Sequence, residues 1–184
     1  MHDNFLVNFV LKGFTSILIG VYFLIGSYFL KTILDGFLID DHPAGMLSVE
    51  IIEFLGIAMA FLVFLFSSLA LFFRGKRHAK RFQHKLWNGK TKTAFYTYVI
   101  GIIIIFASTL VLLNLGLVDY LTPTFLLLYG VLLFILKQKE RKNLIILSGL
   151  CLFLAIVCFL IPTYWYSSFT ILGVAHVTYG VVVK

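Results

Sequence analysis

The sequence predicts an all-α polytopic membrane protein, a bundle of six transmembrane helices with both termini on the cytoplasmic side. Three observations lead there. Of 184 residues, 61% are hydrophobic and only 12% charged, far from the composition of soluble domains. Apolar runs of the roughly 20 residues that cross a bilayer recur six times. The gaps between them are too short to fold separately, so residues 1–184 read as one membrane domain. Finally, the basic residues segregate to alternate connections, and this orders the spans.

The first span runs from about residue 10 to 30. No basic run precedes it and no small-x-small cleavage pattern follows, so it reads as a retained span rather than a signal peptide, with the mature chain expected to begin near Met1. Ser16 and Gly20 form a small-xxx-small pair, with Gly13 one heptad before Gly20, which predicts close helix packing. Residues 31–48 read as the longest outer loop, carrying Asp35, Asp40, Asp41 and His42 around Pro43 and Gly45.

The second span covers about 51–73, with Ser48 as its expected cap and Glu50 and Glu53 in its first turns, where the helix dipole favours carboxylates. Residues 74–92 follow with eight Lys and Arg. Ala79, Phe82 and Leu86 lie at helical spacing with Trp87 beside them. Asn88-Gly89 supplies a stop, so a short basic amphipathic helix on the membrane surface is expected there. Attraction to anionic lipid headgroups accounts for this loop better than nucleic-acid binding, because it is held between two spans.

The third span is expected over 94–115 and the fourth over 121–136, with Thr122 as cap and Pro123 at the first helical position. Lys137, Lys139, Arg141 and Lys142 form a second basic connection to the fifth span, 143–161. Cys151 and Cys158 lie in it at i, i+7, about 10 Å apart along the axis, too far to bridge, and read as small buried apolar residues. An aromatic belt, Tyr164-Trp165-Tyr166, then leads into the sixth span, 167–183.

Orientation follows from charge. Fourteen of fifteen Lys and Arg fall at the two termini and the two basic loops, and Lys31 alone lies on the other side. The positive-inside rule makes the crowded side cytoplasmic, and an odd number of spans would split the basic segments between the two sides. Six of the eight carboxylates then face outward.

The stretch Gly173 to Gly180 carries the strongest candidate site. Gly173, His176 and Gly180 share one helical face, and His176 is the only histidine inside a span. At about 1.5 Å per residue, His176 and Tyr129 both reach the midplane, where a polar group needs a partner in protein or a water-filled cavity. Tyr129 is the expected hydrogen-bond partner of His176. Tyr179 completes the candidate intramembrane polar site, while Gly173, Gly180, Ser16 and Gly20 are the candidate packing residues. Glu53 with Asp40 and Asp41 forms a candidate acidic site at the outer face, for which a solvated loop is the commoner reading than a metal site.

Several chemistries are excluded. A bis-histidine haem lacks its second ligand, since His2, His42, His78 and His84 lie outside the spans. A retinal-type Schiff base lacks a lysine within a span, and no zinc-protease or phosphate-loop motif occurs. No cofactor and no catalytic residue is expected.

Leu126-Leu-Leu-Tyr-Gly-Val131, a short basic turn, a further span and Leu172-Gly-Val-Ala-His-Val-Thr-Tyr-Gly180 together resemble a family of small uncharacterised multipass bacterial membrane proteins, common in Bacteroidota-type bacteria. That family carries Tyr-Gly in its fourth span and Gly-x-x-His-x-x-Tyr-Gly in its last. Tyr129, Gly130, Gly173, His176, Tyr179 and Gly180 occupy those positions. The resemblance covers about sixty residues and implies fold and localisation but no activity. The expected role is a non-enzymatic membrane subunit or scaffold, packing with itself or with a partner complex. The alternative is a small transporter or channel whose path passes His176, Tyr129 and Glu53. The tripeptides at 129–131, 179–181 and 19–21 also raise an inverted 3+3 repeat, as in some transporters.

Overall fold

The computed structural model describes residues 11, 13–37, 49–81, 87, 89–136 and 143–183. These are all-α: α1 (Phe14–Phe37), α2 (Val49–Arg81), α3 (Gly89–Asn114), α4 (Leu121–Ile135), α5 (Asn143–Leu160) and α6 (Trp165–Val182), with no strand among them. Short 3₁₀ turns at Val118–Tyr120 and Pro162–Tyr164 lead into α4 and α6. Four stretches are long and apolar enough to cross a membrane, namely Phe14–Gly36, Ile51–Arg77, Thr91–Asn114 and Val118–Ile135, and Leu144–Leu160 is a shorter apolar helix. The sixth helix, interrupted by Ser167, Ser168, Thr170, His176 and Thr178, is not among the four.

Several boundaries differ from the sequence expectation. Helix α1 runs seven residues further, so Asp35 is on a helix and not in a loop. Helix α2 continues without a break into the basic stretch as far as Arg81, and Gly89 opens α3 rather than stopping a surface helix. Lys and Arg are good helix formers, so charge ends the apolar run without ending the helix. Tyr120, not Thr122, precedes α4 and makes no side-chain cap; Thr122 and Pro123 lie inside its first turn, where a missing N–H costs little. Helix α3 ends on Gly116, at φ +70°, with Leu117 N–H bonded to Leu112 O and Gly116 N–H to Leu113 O. That is a Schellman ending, which glycine adopts without the Cβ penalty. Ser48 lies outside the described residues.

The chain divides into two compact units that are not its sequential halves. One holds α1, α2 as far as Leu71, and α6 from Phe169; the other holds the rest of α2, α3, α4, α5 and the first turn of α6.

In the first unit α1 lies between its neighbours and runs antiparallel to both. Tyr22 meets Phe66 of α2 at 5.8 Å, and the Gly26 backbone faces Val63. The N-terminal end of α1 meets the C-terminal end of α6, where Gly13 N–H donates to Val183 O at 2.8 Å. Buried Ser16, Ile19, Gly20, Phe23 and Ser27 make one stripe down α1, and Leu172, Gly173, His176, Tyr179 and Gly180 another down α6. Spacing of three and four residues is what a helix needs to present one face.

In the second unit α3, α4 and α5 follow one another up and down, with α4 in the middle. Leu132 of α4 packs on Gly101 of α3. Leu144, Leu147, Cys151, Leu154, Ala155 and Cys158 form the buried face of α5. Tyr120 and Phe159 close the far end of the α4–α5 pair at 5.8 Å.

Candidate functional site

The candidate site is the seam between α1 and α6, and glycines set its width. A Cβ added to Gly20 would stand 2.5 Å from Gly173 O and 2.8 Å from Val177 N. One added to Gly180 would stand 2.6 Å from Gly13 O and 2.8 Å from Ile17 N. At Gly173 the obstruction is Leu24, whose Cγ would lie 2.7 Å away. The two backbones therefore approach more closely than any side chain permits, which brings short polar groups on one helix within reach of the other.

Between these glycines sit Ser16 and His176, both fully buried at 0% exposure. The Ser16 hydroxyl donates to the backbone carbonyl of His176 at 2.8 Å, and Ser16 Oγ lies 3.3 Å from His176 Nδ1. A hydroxyl has one proton, and the shorter contact takes it. The longer contact is then satisfied when Nδ1 carries the imidazole proton and Oγ accepts, which leaves Nε2 as the lone-pair nitrogen. Phe23, one turn beyond Gly20, stacks on the imidazole with ring centroids 5.8 Å apart and also faces Phe169 at 6.4 Å. The ring of His176 is thus held by a hydroxyl at one nitrogen and an aromatic face along its side. Thr15 Oγ1, beside Ser16, is buried with no hydrogen-bond partner among the described residues.

The structure brings together Ser16, Gly20, Gly173, His176 and Gly180, all predicted from sequence. Tyr179 is buried on the same helix, at 9% exposure. Tyr129, the expected partner of His176, belongs to the other unit. It is buried on α4, stacked on Phe125 at 5.8 Å, with Cys151 and Tyr98 as electrostatic neighbours. Glu53 is exposed on α2, while Asp40 and Asp41 lie outside the described residues, so no outer acidic site is assembled among those described. Nor do the described residues contain a group of three His, Cys, Asp or Glu placed to hold a metal ion.

Sequence reasoning assigned Ser16 to packing and overlooked that its hydroxyl reaches across. It also missed a second contact of the same kind. In the other unit, Ser148 of α5 donates to the carbonyl of Gly130 on α4 at 2.7 Å, where the Gly130 Cβ position is 3.1 Å from Cys151 Cβ. Cys158 donates to Ser168 Oγ at 3.0 Å. All three glycines of the repeated tripeptides, Gly20, Gly130 and Gly180, thus lie against a neighbouring helix. The signal available beforehand was a serine one turn from a small residue on an otherwise apolar face.

No protein-family profile, curated protein or solved structure matches this chain.

Proposed function

We propose that this chain is a six-span protein of a bacterial inner membrane, with both termini cytoplasmic, and that it acts as a non-enzymatic subunit or scaffold. The proposal extends to membership of the small multipass bacterial family that its Gly-x-x-His-x-x-Tyr-Gly stretch resembles. One observation carries the role: His176, the one histidine of the spans read from sequence, is engaged in holding α6 against α1, through Ser16 and between contact glycines. A polar group used in this way acts as an interhelical tether. The pairing of the N-terminal end of α1 with the C-terminal end of α6 supports an even number of crossings.

Two measurements test this. Reporter fusions after Lys92 and Lys142 are expected to report the cytoplasm, and fusions after Asp41 and Asp119 the opposite side; any reversal overturns the topology. For the role, the tagged chain is solubilised in mild detergent, and an assembly larger than the monomer is expected that His176→Ala and Tyr129→Phe retain. A monomeric wild type whose proteoliposomes show an ion or solute flux lost in His176→Ala overturns the subunit reading in favour of transport.

A further inference from the structure

Helix α2 is longer than a bilayer requires. Its 33 residues extend about 50 Å at about 1.5 Å per residue, against about 30 Å of hydrocarbon. The excess lies where the sequence turns basic. In these last turns Gly75 and Ala79 are buried, one turn apart, while Phe73, Lys76, Arg77 and Lys80 are exposed. The exposed four are spaced i, i+3, i+4 and i+7 and share one face, turned away from the packed one. Along the axis they begin with an aromatic ring, 56% exposed, and continue as three cations. Helix α3 starts with the same order reversed: exposed Lys92, then Tyr96, Ile100 and Ile103 at i+4, i+8 and i+11. Trp87, in the short link between them, is 42% exposed and lies edge-on to Phe95 at 5.3 Å.

Each stripe passes from cation to aromatic ring towards the apolar body of its helix, and an anionic phospholipid has the same order of parts. The geometry points to a binding position for such a lipid on the exposed face of α2, its phosphate among Lys76, Arg77 and Lys80 and its acyl chain beside Phe73. Cations at this level attract anionic headgroups by about a fivefold factor each. A zwitterionic headgroup offers no net charge to three cations, and a nucleic acid offers no apolar tail to Phe73. The inference rests on the membrane reading above but is independent of the role as a subunit.

Trp87 supplies a local readout. The full chain carrying Trp165→Phe, so that Trp87 is the only indole, is reconstituted in phosphatidylcholine vesicles containing equal small fractions of brominated phosphatidylglycerol or brominated phosphatidylcholine. The expected result is several-fold stronger association of the brominated phosphatidylglycerol, seen as deeper quenching. Lys76→Gln, Arg77→Gln and Lys80→Gln together should bring the two lipids to parity, while Lys76→Arg with Lys80→Arg should keep the preference, which separates lost charge from lost folding. Equal quenching by both lipids in the parent, or a preference that survives the triple neutralisation, overturns the proposal. So does a preference abolished by inorganic phosphate at constant ionic strength, which would mark a site for the free anion. Binding of a duplex oligonucleotide at physiological salt without any lipid preference also overturns it. Absence of quenching by either lipid would refute the membrane placement itself.

Discussion

Ser16 holds His176 by its backbone more firmly than by its ring: the hydroxyl lies 2.8 Å from the carbonyl oxygen and 3.3 Å from Nδ1. The carbonyl survives replacement of the side chain. Ser16→Ala is therefore expected to cost about 1 kcal/mol, within the range measured for interhelical hydrogen bonds, and to cost most of that again in a His176→Ala background. The check is a double-mutant cycle on reversible unfolding in mixed micelles, which isolates the ring contact. A coupling energy equal to the whole Ser16→Ala effect would mean that the imidazole, not the carbonyl, is the principal acceptor.

Glycines at the seam differ from glycines elsewhere by what surrounds them. Gly20→Ala and Gly180→Ala place a methyl group against backbone atoms of the facing helix, which cannot rotate away. Each should cost about 1–3 kcal/mol, the usual range for overpacking. Gly149, exposed on α5 with nothing within 4 Å of its Cβ position, should behave oppositely. There Gly149→Ala is expected to stabilise by up to about 1 kcal/mol through helix propensity. Thermal unfolding of the three variants in one detergent compares them directly.

At the end of α3 the backbone itself demands glycine. Gly116 sits at φ +70° with no neighbour within 4 Å of its Cβ position, so the cost of a side chain there is conformational and not steric crowding. Gly116→Ala should destabilise by about 1–2 kcal/mol, the penalty for a left-handed residue. Gly116→Asn should cost clearly less, because asparagine tolerates that region. Equal effects of the two would indicate a different ending for α3.

Cys151 and Cys158 are free thiols, both buried at 0% exposure, and Cys158 donates to Ser168. In the folded protein neither is expected to react with a maleimide over the time in which a denatured sample labels fully, as counted by mass spectrometry. Rapid labelling of Cys158 alone would mean that the contact of α5 with the start of α6 opens readily.

Much of the helical framework was legible in the residues, for a local reason. Crossing a bilayer takes a run of apolar side chains, and such runs are visible without knowing their neighbours. Ends were less legible because composition and helix formation are separate properties. The basic stretch after Phe73 ends an apolar run yet continues α2 to Arg81, and Gly116 ends α3 through its backbone angle. The face of α6 that carries Gly173, His176 and Gly180 was also readable, since helical periodicity places them together.

That Ser16 of α1 stands against that face was not readable. Matching by depth made Tyr129 the natural companion of His176, because both fall near the middle of an apolar segment. Ser16, 160 residues away, reaches His176 across the seam, and α6 from Phe169 shares its compact unit with α1 and with α2 as far as Leu71. Length, hydropathy and charge are sums over the chain's own residues, and from them follow the all-α class and its apolar helices. Which helices meet depends on where two backbones can approach, and that is a property of two surfaces at once. Gly20 facing Gly173, and Gly180 facing Gly13, admit that approach, and only the folded chain shows that these small residues face each other.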